Sequence, residues 1–152
     1  MIQAIGDALA FRGRLTRLGY WRWQIALVVI TAAFVYGAVA VAMGGGPRWL
    51  SALVFAPIVV AVIAAVGVIA RRLHDRGRGV HWLMVFIVTP WGLAALSIWL
   101  AERSAVAEDG WTASVSLAAA LLSFLFNVWG FVEIGLLRGQ PDPNRFGPPP
   151  PR

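Results

Sequence analysis

The chain has 152 residues, of which 59% are hydrophobic and only 13% charged, and its cationic residues are thirteen arginines with no lysine. Because an ordinary soluble domain carries about 25% charged residues, this chain is too apolar for such a domain. Cysteine is absent, which removes disulfides, thiolate metal ligands and thiol nucleophiles.

The N-terminal segment, residues 1–23, precedes the first long apolar run. Its apolar side chains recur at near-helical spacing, at Ile2, Ile5, Leu9 and Phe11. This spacing favours a short amphipathic helix lying on the membrane surface. The alternative is a frayed terminus.

Four apolar runs follow, at residues 24–43, 50–70, 81–101 and 114–137. A helix rises ~1.5 Å per residue, so about 20 residues cross the ~30 Å hydrocarbon core of a bilayer. A cleaved signal peptide is the alternative for the first run, but the run is longer than the usual ~7–15 apolar residues of such a peptide. We therefore predict an all-α integral membrane protein, a four-helix bundle over residues 24–137, with a proline-rich tail at 138–152.

The arginines alternate between the two sides of these spans. Eleven lie in the N-terminal segment, the middle loop and the C-terminal tail, and two lie in the other loops, at Arg48 and Arg103. Loops rich in arginine stay on the cytoplasmic side. The sequence thus predicts that both termini and the middle loop are cytoplasmic.

The middle loop, residues 71–79, is the densest polar cluster. If the second span continues helically into it, Asp75 lies one turn after Arg71 and can pair with it, while Arg72 and Arg76 share a face. One interpretation is a solvated basic loop that only anchors topology. The other is recognition of anionic lipid headgroups, or of another phosphate-bearing ligand, by guanidinium groups.

A metal or acid–base site around His74, Asp75 and His81 is a sharper alternative for this loop. Two histidines seven residues apart with one carboxylate lack a known ligand spacing, and the flanking arginines would repel a cation. We expect no metal, no cofactor and no catalytic residue.

Proline and polar residues interrupt the predicted spans. Pro90 leaves the carbonyl of Phe86 without its usual donor and should kink the third span, and Pro57 lies within the second. Asn127 and Glu133 lie in the fourth span, where a carboxylate is costly. Glu133 either pairs with an interfacial arginine, such as Arg138, Arg71 or Arg72, or forms a proton or substrate site.

Three motifs occur in order along the chain. They are Phe11-x-Gly13-Arg14-x-x-Arg17-x-x-Tyr20-Trp21, Arg71-Arg72-Leu73-His74-Asp75-x-Gly77 and Asn144-Arg145-Phe146-Gly147. With the four apolar segments, they resemble the YhaH-like family of bacterial inner-membrane proteins, DUF805, a domain of unknown function. The resemblance covers nearly the whole chain; it implies a bacterial inner membrane and supplies no reaction.

We therefore predict a non-catalytic scaffold or accessory protein that binds membrane lipids, a membrane-protein partner or a second copy of itself, and no nucleic acid. Its lipid-binding or structural network on the cytoplasmic face is predicted to comprise Arg14, Arg17, Arg71, Arg72, His74, Asp75, Arg76, Arg78, Asn144 and Arg145. The alternative function is a small transporter or channel for an anion or amphiphile, built around Pro57, Pro90, Asn127 and Glu133. A third class, an enzyme acting on lipid, requires His74 and Asp75 to converge on an open pocket.

Overall fold

A computed structural model describes Gly6 and residues 11–151, apart from the side chains of Arg48, Ser51, Ala52, Phe55 and Ala107. Its four α-helices are α1 (Arg17–Met43), α2 (Arg48–Asp75), α3 (Thr89–Ala107) and α4 (Gly110–Gly130). A π-helical turn, Met84–Val88, precedes α3, and another, Phe131–Leu136, follows α4. Within this described part, the β structure is one isolated bridge between Asn144 and Gly147.

Four helical stretches are long and apolar enough to cross a membrane: Arg17–Met43, Ala56–Asp75, Met84–Val106 and Gly110–Leu136. The prediction of an all-α, multi-pass membrane protein is confirmed. Several helix ends differ from the predicted spans. The first helix, α1, begins at Arg17 rather than at residue 24, and α2 continues to Asp75 rather than stopping at residue 70. The third stretch covers Met84–Val106 rather than 81–101, and the fourth begins at Gly110 rather than at residue 114. Of the predicted amphipathic helix, Gly6 and Phe11 are described, and the rest lies outside the described residues.

Local capping accounts for the early start of α1. The hydroxyl of Thr16 accepts a hydrogen bond from the backbone N–H of Gly19, at 3.0 Å, which satisfies one of the donors exposed at a helix start. Asp109 begins α4 in the same way. The hydroxyl of Thr112, followed by the backbone N–H of Trp111, holds the pKa of the Asp109 carboxyl below its ordinary value.

The chain forms two compact units. The first comprises Met1–Arg78 and Arg138–Arg152, and the second comprises Gly79–Leu137. In the first unit α1 packs against α2, around a buried core of Leu27, Ala61, Ala64 and Val68. Small residues on α2 bring the two helices close together. Pro57 lies inside α2, which remains one continuous helix.

In the second unit α3 packs against α4. The Ser116 hydroxyl donates to the carbonyl of Ser97 at 2.8 Å. Nearer the π-helical turns, the rings of Phe86 and Trp129 pack edge to face, with their centroids 5.0 Å apart. Gly130 lies against Phe86, because a Cβ at this glycine would come within 3.2 Å of that ring.

The kink at Pro90 stays a prediction, and the structure has a π-helical turn directly before this residue. There the backbone N–H of Thr89 reaches back five residues to the carbonyl of Met84, and the Thr89 hydroxyl donates to the same carbonyl at 3.0 Å. The α-helical pattern starts again at Thr89, which places Pro90 in the first turn of α3. A missing N–H is tolerated at that position because first-turn N–H groups have no partner within the helix.

The Ser123 hydroxyl on α4 donates to the carbonyl of Pro90 at 2.8 Å, and both residues are buried. Replacing Ser123 by Ala should lower the free energy of unfolding by about 0.5–1.5 kcal/mol, the usual net value of one such bond. Reversible unfolding in detergent would measure this. Ser114→Ala is the control, since the exposed Ser114 hydroxyl bonds only to its own helix, at Gly110; equal losses in the two variants would contradict the prediction.

Candidate functional site

Asp75, the last residue of α2, is held by two arginines. Arg14 approaches Oδ1 with Nε at 3.1 Å and Nη2 at 3.0 Å, and Nη1 of Arg72 donates to Oδ2. All three residues are buried, with exposed fractions of 4% for Asp75, 6% for Arg14 and 0% for Arg72. We call these three residues the Asp75 cluster. Two buried guanidinium groups share one carboxylate there, so removing the carboxylate would leave both without a counter-charge.

The local sequence builds half of this cluster. Arg72 lies three residues before Asp75, and side chains with this spacing meet on one helix face. Arg76 then caps α2, and Gly77 turns the chain with a φ of +72°, a conformation that favours glycine. The expected pairing of Asp75 with Arg71 is wrong: Asp75 pairs with Arg72 and Arg14, because the face of α2 that carries Arg72 is the one buried in this unit.

Arg14 also binds the C-terminal tail. Its Nη1 donates to the carbonyls of Asp142, at 2.8 Å, and Gly147, at 3.3 Å, and its Nη2 donates to the carbonyl of Gln140. The backbone N–H of Gln140 in turn donates to the carbonyl of Asp75 at 2.8 Å. One guanidinium therefore joins the segment before α1, the end of α2 and the tail.

The tail passes directly over the Asp75 carboxylate at Gly139. A Cβ at this glycine would lie 1.8 Å from Oδ2 of Asp75 and 2.4 Å from its carboxyl carbon. Real Cβ atoms essentially never come so close, and the carboxylate is held by two arginines. Only glycine fits at this position.

His74 and Asn144 make a second set of contacts to the tail. The ring of His74 stacks on that of Phe146, with centroids 3.9 Å apart and planes 7° from parallel, and its Nδ1–H donates to the carbonyl of Gly13 at 3.1 Å. The Asn144 amide donates to the carbonyl of His74 at 3.0 Å and to Oε1 of Gln140 at 2.9 Å. These contacts fix the tail against the end of α2.

The remaining predicted arginines lie around the Asp75 cluster. Arg17 and Arg145 are exposed, and Arg145 lies over the ring of Phe146 at 4.7 Å. Arg71, Arg76 and Arg78 are half-buried. Arg76 donates to the carbonyl of Arg138 at 2.6 Å, which is a further contact with the tail.

Gly139, Gln140 and Phe146 were absent from the predicted set. So were Gly13, Asp142 and Gly147, which contribute backbone carbonyls. The backbone carbonyl of Gln140 carries the contact with Arg14, and such a contact has no signature in the sequence. Phe146 stood within a quoted motif, beside Asn144 and Arg145, and its aromatic ring was the one available signal.

The two intramembrane polar residues lie in the second unit. Asn127 is exposed, and its amide donates to the carbonyl of Ser123 at 2.9 Å. It borders a groove of about 240 Å³, together with Pro90, Trp91, Ala94 and Ser123. Glu133 is buried within the π-helical turn Phe131–Leu136.

Metal binding was expected to be absent. Among residues 11–151, no group of three histidine, aspartate or glutamate side chains comes together in a way that could hold an ion. His81, the third member of the metal alternative, is exposed. The geometry instead joins cations to a carboxylate and to backbone carbonyls.

Comparison with known proteins identifies a family. A family model described as a protein of unknown function, DUF805, matches residues 8–148 and so covers nearly the whole chain. No curated protein and no solved structure matches the chain.

Proposed function

The chain belongs to the DUF805 family, whose function is unknown, and from its own residues we propose that it is a non-catalytic bacterial inner-membrane protein that binds anionic phospholipid headgroups. The proposed binding surface is the arginine-rich end of the first unit. The proposed orientation places both termini and residues 76–81 in the cytoplasm, because eleven of the thirteen arginines then lie on that side.

One observation carries the proposal: the described arginine side chains of the first unit form a buried set, an exposed set, and a half-buried set of Arg71, Arg76 and Arg78. Arg14 and Arg72 are buried against Asp75. The exposed arginines are Arg12, Arg17, Arg22, Arg138 and Arg145. Among the described residues of this unit, the exposed acid is Asp142 alone, so the exposed surface is strongly positive.

The contacts of the buried arginines hold the exposed arginines in place for binding. An exposed arginine near an anionic leaflet contributes about 1 kcal/mol of attraction. The net binding free energy is more favourable when several arginines are already held in place, because ordering each one separately on binding costs free energy. Arg145 is fixed through Phe146, which stacks on His74. Arg17 is fixed as the first residue of α1.

The state of Asp75 supports a non-catalytic role. A general base needs a carboxylate that can reach a substrate proton, whereas both oxygens of Asp75 accept hydrogen bonds from buried guanidinium groups. His74 is stacked on the tail and donates to the carbonyl of Gly13. These two side chains do not converge on an open pocket, which is what an enzyme acting on lipid would require.

Native mass spectrometry tests the proposal. The protein would be released from nanodiscs that contain equal amounts of phosphatidylglycerol and phosphatidylcholine, and retained lipid would be counted. We expect preferential retention of phosphatidylglycerol, and a loss of about fivefold in its affinity for each of Arg17→Gln and Arg145→Gln, the equivalent of ~1 kcal/mol per arginine.

The control is Arg103→Gln, which removes an exposed arginine of α3 in the second unit that lies over Trp99. This variant should retain lipid as the unmodified protein does. Equal retention of the two lipids, unchanged by the Arg17 and Arg145 variants, would refute headgroup binding.

The alternative function, a small transporter or channel, draws on the groove of the second unit. Asn127 and Ser123 place polar groups in this groove within a membrane-spanning helix, and polar residues at such depth often mark a substrate path. An anion flux through reconstituted protein that is abolished by Asn127→Leu would replace the binding proposal.

A further inference from the structure

A groove of about 400 Å³ runs between α1 and α2 in the first unit. Its α1 wall follows one helical stripe, formed by Gln24, Leu27, Val28, Thr31, Ala32 and Val35. Its α2 wall is formed by Ala61, Val62 and Ala65. The short side chains of Ala32, Ala61 and Ala65 leave the groove unfilled beside the contact of the two helices, and its size falls within the ~300–1,000 Å³ of small-molecule sites.

The same stripe leads to the arginine-rich end of the unit. Arg17 lies seven residues before Gln24, which is two turns along the same face of α1. Seven residues after Ala65, the matching face of α2 reaches Arg72 of the Asp75 cluster. Arg17 is exposed there, whereas Arg72 is buried against Asp75. The groove therefore has an apolar body and a cationic end.

Polar and aromatic groups lie between the arginine and the groove. The amide of Gln24 donates to the Tyr20 hydroxyl at 3.2 Å, and the ring of Tyr20 packs edge to face with that of Trp21, at 5.3 Å. Such aromatic residues sit at the level of lipid headgroups. The amide of Gln24 keeps a second N–H, which can donate to an ester carbonyl.

The depth of these groups fits a phospholipid. Gln24 lies ~10 Å along the helix axis from Arg17, while the headgroup layer on each side of a bilayer is ~5–8 Å thick. Arginine also extends its side chain outward toward the headgroups. With Arg17 at the phosphate level, Gln24 stands near the ester level and the groove lies in the hydrocarbon.

We propose that this groove binds one acyl chain of an anionic phospholipid whose phosphate contacts Arg17. The inference rests on the proposed function and deepens it, because it names the lipid-binding groove and the part of the lipid that occupies it. The Tyr20 and Gln24 side chains then face the ester carbonyls. An acyl chain and an anionic headgroup are thus recognised together, on one stripe of α1.

A flexible chain fits this groove better than a second helix does. Val28, Val35 and Val62 line the groove and are exposed, so a second helix would meet these branched side chains before it reached the alanines. Tight helix association in a membrane depends on close approach at small residues. An acyl chain passes between the valines and fills the space over the alanines.

Photo-crosslinking tests the inference directly. The full chain would be reconstituted with phosphatidylglycerol that carries a diazirine in one acyl chain, and in parallel with phosphatidylcholine that carries the same chain. Adducts would be mapped by mass spectrometry. We expect the phosphatidylglycerol adducts to concentrate at residues 27–35 and 61–65, and to fall to the phosphatidylcholine level in Arg17→Gln.

A matched pair of variants tests whether the acyl chain needs the space of the groove. Ala32 lines the groove, whereas the adjacent Ala33, which is exposed as Ala32 is, does not line it. Ala32→Phe fills the groove and should abolish these adducts, while Ala33→Phe should leave them unchanged.

The outcomes separate the two proposals. If phosphatidylglycerol is still retained through Arg17 and Arg145, but its chain labels other positions and Ala32→Phe has no effect, the groove inference is wrong and headgroup binding stands. Crosslinks between two copies of the protein at the groove would also overturn it, in favour of a second copy. Equal labelling by both lipids, unchanged in Arg17→Gln, would refute headgroup binding and the groove inference together.

Discussion

Replacing Asp75 by Asn should lower the free energy of unfolding by roughly 3–5 kcal/mol, because it leaves two buried guanidinium groups without a counter-charge. The size and shape of the side chain are kept, so the loss measures charge and hydrogen bonding rather than packing. Arg14 and Arg72 have exposed fractions of only 6% and 0%, and water cannot take over from the carboxylate. Reversible unfolding in detergent or a nanodisc would report the change.

The matched control is Asp142→Asn. Asp142 is exposed, and its contact with Arg14 uses the backbone carbonyl, which this substitution keeps. The control should change stability by less than ~0.5 kcal/mol, as surface substitutions usually do. If the two variants unfold alike, Asp75 does not hold the first unit together.

Replacing Gly139 by Ala should detach the tail. The added Cβ would lie 1.8 Å from an oxygen of Asp75, and the carboxylate cannot turn aside without breaking its pairs with Arg14 and Arg72. Forcing an extra methyl group into a packed site costs about 1–3 kcal/mol or more, and here the tail can relieve the clash by leaving. Limited trypsin digestion would then cut faster after Arg138 and Arg145.

Gly92→Ala is the control for this prediction. Gly92 lies in α3, and nothing is within 4 Å of a Cβ built there. Alanine in a helix is favoured over glycine by ~1 kcal/mol, so this variant should be unchanged or slightly more stable. A tail that resists trypsin in Gly139→Ala as well as in Gly92→Ala would show that the close approach at Gly139 is not needed.

The apolar runs predicted the four helices because the requirement for crossing a bilayer is simple: length and the absence of charge. Helix ends were harder to predict. The start of α1 depends on the Thr16 cap. The end of α2 depends on Asp75, which pairs with Arg72 and also with Arg14, 61 residues away in the chain. A contact of that separation cannot be read from local composition.

The site was predicted as a set of residues but not as a set of contacts. Arg14, Arg72, His74, Asp75 and Asn144 were all in the predicted network, and the structure brings them together. Their partners could not be predicted because the packing of α2 on α1 determines which face of α2 is buried. Arg14 donates to backbone carbonyls of the tail. Every residue carries such a carbonyl, so the sequence does not mark these partners.

The position of the tail has a consequence for biosynthesis. The first unit comprises Met1–Arg78 and Arg138–Arg152, and the second comprises Gly79–Leu137. The whole second unit is therefore translated between the two parts of the first. Until residues 140–147 leave the ribosome, Arg14 lacks the three carbonyls that it binds. A chain that stalls within α4 would carry an incomplete first unit, and its unmet guanidinium donors would distinguish it from a finished chain during quality control in the membrane.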